Sequence, residues 1–342
     1  MRPGKRLVRR VAACAALALA VGCGAASAHD LNAYENVVGY YVDVPVQAAY
    51  GGTTGLPRIT LPPLPPITLP GGMTITLGTV IRHVLILKPI VPTTSGRVPA
   101  LVLLSYLNGT PQDMSDFTGI ARLVRDYGIW VFVPEQQQGT WNYGITSKKF
   151  TDDAAFLAAL IDQAAAQYPI DPHRVYLAGF SDGALMTQTF ACQFPDRIAG
   201  GAVVAATIHN SDMNACRPSL GTPMVFFNGT ADAQAPYDGA QEDGIALGPS
   251  APQVARFWAG LSGCSTTPSG TDLPPSIDDG TTVHLDTYGG CSGGGPILQY
   301  TIDGGGHAWP GTYEFSGVLG IVTQNLDATR AMWDFFKTLS RP

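Results

Sequence analysis

Gly179-Phe180-Ser181-Asp182-Gly183 stands between a stretch that reads as a strand, Arg174-Val175-Tyr176-Leu177-Ala178, and one that reads as a helix from Ala184 to Phe194. A G-x-S-x-G pentapeptide in that setting makes a sharp turn that lifts the serine hydroxyl above a sheet, with glycines where a side chain would collide. Ser181 therefore reads as a nucleophile at the carboxyl end of a strand.

Outward from the pentapeptide the same strand type recurs. Val80 to Leu87, Ala100 to Leu104, Ile129 to Val133, Gly201 to Ala205, Met224 to Asn228 and Ile297 to Ile302 are short and nearly all apolar, and residues 36 to 44 read as an earlier strand. Between them lie helical segments. Asp116 to Tyr127 has Ser115 as N-cap and Gly128 as stop, and Asp153 to Gln167 puts Phe156, Leu157, Leu160, Ile161 and Ala164 on one face. Pro252 to Leu261 and Leu326 to Leu339 complete the alternation. Apolar strands alternating with helices predict an α/β fold with a mostly parallel central sheet and helices on both faces. A chain of 342 residues, 45% hydrophobic, suits one large domain of this kind.

A serine nucleophile needs a base, and the base needs an orienting acid. In the α/β-hydrolase fold these arrive in the order Ser, Asp or Glu, His, each on a loop after a strand. Asp232 follows the strand ending at Asn228 through Gly229-Thr230-Ala231, and His307 follows the last strand through Gly304-Gly305-Gly306. His83, His173, His209 and His284 have no such context. The negative oxygen formed on attack needs fixed N–H donors. The backbone N–H of Asp182 supplies one, at a helix N-terminus, and Thr110, after the turn Asn108-Gly109, is expected to supply the second. The Asp182 side chain brings a carboxylate beside the developing oxyanion. Trp141 and Trp309 are candidate apolar walls of a substrate cleft. The Asn-Gly-Thr tripeptides at Asn108 and Asn228 match a glycosylation sequon but read as turn chemistry. This chemistry calls for no cofactor and no metal.

The first 28 residues read as an export signal, with Arg2, Lys5, Arg6, Arg9 and Arg10 ahead of an apolar run and Ala26-Ser27-Ala28 as the cleavage site. Leu19-Ala20-Val21-Gly22-Cys23 loosely matches a lipoprotein signal, so lipid attachment at Cys23 is the alternative to soluble export. The apolar run is too short for a membrane span. Cleavage after Ala28 removes five positive charges and no negative ones, turning the formal charge of −6 into −11. Such a surface does not suit nucleic acid or anionic lipid, and a monomer acting on neutral ester substrates is expected. Export also places Cys192, Cys216, Cys264 and Cys291 in an oxidising compartment. Four cysteines allow three pairings, among which Cys192 with Cys216 and Cys264 with Cys291 is favoured.

Pro57, Pro62, Pro63, Pro65, Pro66 and Pro70 punctuate a stretch in which Ile59-Thr60-Leu61-Pro62 recurs as Ile67-Thr68-Leu69-Pro70. It reads as a packed linker or as an extended surface arm. The expected division is a signal over 1–28, a first strand and Pro-rich arm over 29–78, and the catalytic domain over 79–342.

Three blocks then resemble a known family: Gly179 to Gly183, Asn228 to Asp232 with Pro236-Tyr237-Asp238-Gly239, and Gly304-Gly305-Gly306-His307-Ala308-Trp309-Pro310-Gly311. They are similar to the signature blocks of polyhydroxybutyrate-depolymerase-type esterases, which include feruloyl and acetylxylan esterases. The resemblance covers about residues 80 to 340, and Tyr168-Pro169-Ile170-Asp171-Pro172-His173-Arg174-Val175-Tyr176 shares in it. It implies Ser181, Asp232 and His307 as a triad and an extracellular ester substrate. A polyester is the first expectation, a feruloyl or acetyl ester of plant polysaccharide the second, and a non-catalytic envelope binding protein the rival of another class. The chain departs from the family where Asn108 replaces the usual histidine and Asp182 the usual small or amide residue.

Overall fold

The computed structural model describes residues 36–47, 67–68, 74–75, 79–91, 96–145, 152–242, 245–246, 248–313 and 319–341. The export signal, Cys23 and nearly all of the Pro-rich stretch lie outside the described residues. Ten strands form one sheet: β1 (Val37–Gln47), β2 (Thr79–Pro89), β3 (Val98–Leu104), β4 (Trp130–Pro134), β5 (Ile170–Phe180), β6 (Gly200–Val204), β7 (Met224–Gly229), β8 (Ser269–Leu273), β9 (Thr282–Tyr288) and β10 (Ile297–Asp303). Their spatial order is β1-β2-β4-β3-β5-β6-β7-β10-β9-β8. The central six pair in parallel, and antiparallel pairs extend the sheet at both ends. This is the α/β-hydrolase architecture.

The helices are α1 (Pro111–Thr118), α2 (Ala121–Tyr127), α3 (Asp153–Gln167), α4 (Asp182–Gln193), α5 (Asn210–Ala215), α6 (Ala251–Leu261) and α7 (Ala328–Phe336). Alternate residues of a strand face opposite sides, so each central strand feeds two cores. Val102, Leu104 and Phe132 pack with Phe156, Leu160, Phe190 and Trp258 on one face. Leu101, Leu103 and Val131 pack with Phe117, Val124, Met332 and Trp333 on the other. β3, β4, β6 and β7 are buried at every position, which is why they read as unbroken apolar runs.

The expected helix from Asp116 to Tyr127 is two helices. Thr110 caps the first through a capping box with Asp113, with Pro111 at the opening turn. Gly119 ends it in the left-handed conformation, φ +59°, before α2 begins. Two strands had no sequence signal strong enough to predict. β8 and β9 form an antiparallel extension, and β8, Ser-Gly-Thr-Asp-Leu, is exposed along most of its length.

β1 pairs along its full length with β2, from Val37 opposite Pro89 to Gln47 opposite Thr79, so it is the outer strand of the same sheet. Each outer pair of strands carries a cross-strand Asp and His: Asp43 with His83 at 2.7 Å and Asp272 with His284 at 2.6 Å. The cysteines join as Cys192–Cys216, tying the end of α4 to the residue after α5, and as Cys264–Cys291. Loops of these lengths stabilise a fold by about 3 kcal/mol each on the chain-entropy account. Among the described residues, no helix is long and apolar enough to cross a membrane.

Candidate active site

Ser181 sits between β5 and α4 with φ +55°, ψ −116°, a backbone conformation that costs energy for any residue with a side chain. The glycines around it let three elements approach closely. A Cβ on Gly179 would stand 2.2 Å from the Gly183 carbonyl, and one on Gly183 would stand 2.4 Å from the Leu104 carbonyl at the end of β3. The Ser181 N–H donates to Val204 O at 2.9 Å, fixing the turn against β6.

His307 Nε2 is 2.9 Å from Ser181 Oγ, and His307 Nδ1 is 2.8 Å from Asp232 Oδ2. The Asp232 carboxylate is buried, and its other oxygen accepts the N–H groups of Gln234 and Ala235, both at 2.8 Å. Those two donors hold the carboxylate in one orientation. The Asp232 and His307 loops are built against each other. Ala231 N–H donates to Gly305 O at 2.9 Å, and a Cβ on Gly229 would lie 2.2 Å from that same oxygen. Gly306 is equally constrained, since its Cβ would meet Leu319 O at 2.2 Å. The glycine run before His307 therefore follows from close backbone contact. Asn228 is buried, donating to Ala206 O and accepting from Gln299, so its sequon is out of reach.

The first turn of α4 places the Asp182 N–H directly after Ser181. The Asp182 carboxylate is turned toward the segment after β4, where it accepts the Trp141 N–H at 2.7 Å and the Thr140 hydroxyl at 3.1 Å. Thr110 N–H, expected to receive an oxyanion, donates to the Asp113 carboxylate at 3.3 Å, the long half of the capping box.

Trp141 and Trp309 do not line a cleft, contrary to expectation. Both are fully buried, Trp141 in the core on one face of the sheet and Trp309 in the other. Each indole N–H is satisfied internally, by Ser105 O at 2.8 Å and by Thr329 Oγ1 at 3.0 Å. The rings that reach the surface in this region are Tyr106 and Tyr313, linked toward His307 through the buried rings of Phe180 and Phe117. Phe180 lies 5.2 Å from the His307 ring and 5.9 Å from half-buried Tyr106, and Phe117 joins Phe180 to the exposed Tyr313. Leu107, 56% exposed, follows Tyr106. Their sequence signal is position, since Tyr106 and Leu107 lie just after β3 and Tyr313 follows the histidine block. Among the described residues no group of three or more His, Cys, Asp or Glu side chains is arranged to hold a metal ion.

Residues 83–230 match the family model described as Esterase PHB depolymerase. That stretch carries the sequence pattern of this esterase family. Ser181 lies inside the matched stretch, and Asp232 and His307 lie beyond it. The chain is similar to feruloyl esterase B of Piromyces equi, 28% identical over 76% of this chain and 46% of the relative. It is also similar to poly(3-hydroxyalkanoate) depolymerase C of Paucimonas lemoignei, 26% identical over 63% of this chain and 57% of the relative. The chain thus spans about half the length of these two relatives. Among solved structures, acetyl xylan esterase from Aspergillus awamori shares the fold, with a TM-score of 0.50 at 17% identity, covering 75% of this chain and 94% of that one.

Proposed function

We propose that the protein is a secreted serine carboxylesterase that cleaves polyesters of the polyhydroxyalkanoate type through an acyl-enzyme on Ser181. The observation that carries this reading is the unbroken chain from Ser181 Oγ through His307 to Asp232, at 2.9 and 2.8 Å. His307 Nε2 takes the hydroxyl proton as Ser181 Oγ bonds to the ester carbonyl carbon, and Asp232 stabilises the imidazolium. The tetrahedral oxyanion is received by the N–H groups of Asp182 and Thr110. Collapse expels the alcohol, which takes its proton from His307. Water, deprotonated by the same imidazole, then attacks the acyl carbon, and breaking of the bond to Ser181 Oγ releases the acid and restores the hydroxyl.

The family description and the likeness to a poly(3-hydroxyalkanoate) depolymerase support the polyester. The likeness to feruloyl esterase B supports a second reading, a feruloyl or acetyl ester of plant polysaccharide. Secretion is supported by the signal over residues 1–28 and by two disulfides.

Hydrolysis of p-nitrophenyl butyrate by the wild type and by Ser181→Ala tests the esterase. Loss of turnover in the variant with unchanged circular dichroism supports it, and an inactive wild type removes it. Product release from solid polyhydroxybutyrate against feruloylated xylan then ranks the substrates.

A further inference from the structure

We infer that Asp182 is a positioning residue that fixes the spacing between the two oxyanion donors, an inference that rests on the esterase reading above. Its N–H stands next to Ser181 in the first turn of α4, while its buried carboxylate reaches a different part of the chain. Oδ2 accepts the Trp141 N–H at 2.7 Å, and the Thr140 hydroxyl lies 3.1 and 3.4 Å from the two oxygens.

The segment so held grips the loop after β3 at both ends. Trp141 Nε1–H donates to Ser105 O at 2.8 Å, and Asn108 N–H donates to Gly139 O at 2.6 Å. The Gln136 side-chain amide adds donors to Tyr106 O at 3.0 Å and to Gly109 O at 3.2 Å. Ser105 and Asn108 bound the turn that leads into Thr110. One carboxylate on the nucleophile's own helix thus reaches, through two short backbone segments, the loop that carries the second donor. A bare carboxylate beside a developing negative oxygen would oppose the reaction. Here the carboxylate is hydrogen-bonded by an N–H and a hydroxyl, which hold it turned toward the segment after β4. Misplacing a reacting group or its partner by about 1 Å costs on the order of 100-fold, so the bracing matters to rate.

The test reads kcat and KM separately on p-nitrophenyl butyrate for wild type, Asp182→Ala, Asp182→Asn and Thr140→Val. Thermal melts and the inhibition constant of a trifluoromethyl ketone, a mimic of the tetrahedral intermediate, accompany them. Asp182→Ala should lose about 100-fold in kcat, the size of losing one oxyanion donor, with KM almost unchanged and ketone affinity falling in parallel. Asp182→Asn keeps an acceptor for the Trp141 N–H and should recover to within about 10-fold of wild type, and Thr140→Val should cost about 2- to 10-fold, as expected for one hydrogen bond. An unchanged kcat in Asp182→Ala, a loss carried by KM alone, or an Asn variant no better than Ala would overturn the inference and leave the esterase standing. Should Asp182→Ala fail to fold, Thr140→Val decides: weakened ketone binding at an unchanged melting temperature supports the inference, and unchanged binding overturns it. A wild type without turnover would overturn the esterase reading and this role together.

Discussion

Asn108 and Gly139 stand so close that a Cβ on Gly139 would lie 2.1 Å from Asn108 Oδ1, while the Asn108 N–H donates to the Gly139 carbonyl at 2.6 Å. Gly139 also holds φ +77°, where an L side chain is strained. Gly139→Ala should therefore destabilise the fold by about 1–2 kcal/mol and shift the Asn108 turn, lowering kcat more than it raises KM. A chemical-denaturation midpoint with paired kinetics checks this, and an unaffected variant would show that the two loops are not coupled.

Asp232→Asn removes the charge that faces His307 while keeping the shape of the side chain. The imidazole loses the partner that sets its tautomer, and kcat should fall on the order of 10,000-fold with circular dichroism unchanged. His307→Ala should lose as much, and the double variant should lose little more, because the two act as a unit. Additive losses would contradict a shared role.

Tyr106 and Tyr313 flank the ring cluster that ends at His307 and keep solvent-facing surface. Tyr106→Ala and Tyr313→Ala should raise KM for long acyl chains several-fold while leaving kcat on an acetyl ester nearly unchanged, as expected for lost apolar contact of roughly 1–2 kcal/mol. Equal effects on short and long esters would remove both residues from substrate binding.

At the far side of the sheet, the Asp272 carboxylate bonded to Nδ1 raises the His284 imidazole above its usual value, and the nearby Asp286 adds to the effect. The pair stabilises the fold fully below about pH 6.5, where the unfolded histidine is also charged, and the contribution is lost as pH rises through the raised folded value. The effect is small, because both partners meet solvent. Melting temperatures of wild type and His284→Asn should differ at about pH 5.5 and converge in alkali. A difference that grows with pH would reverse the sign of this assignment.

The central strands were legible because burial on both faces forces an all-apolar run, and β5 with α4 was legible because the turn at Ser181 admits few residues. The chain order of Ser181, Asp232 and His307 after successive strands suggested their meeting, and the sheet order brings them within hydrogen-bonding distance. What sequence could not resolve were features decided by contact. The break at Gly119 hides inside a run that continues to look helical, although Thr110-Pro111-Gln112-Asp113 carries a capping signature. β8 has too few apolar residues to announce itself. A tryptophan beside an active-site loop reads alike whether it faces in or out, and Trp141 and Trp309 face in. The role of Asp182 depends on the partners of its carboxylate, which lie some 40 residues away in the chain.

The Asp–His pairs on the outer strands bear on how copies of the chain meet one another. A strand at the rim of a sheet is an open invitation to add a strand from a neighbour, the first step toward aggregation. Here each rim strand bears an aspartate, Asp43 at one end and Asp272 at the other, in a chain of net charge −6. Two molecules approaching rim to rim would meet an Asp–His pair on each of these described edges rather than a flat apolar strand, one of the devices that discourages edge-to-edge pairing.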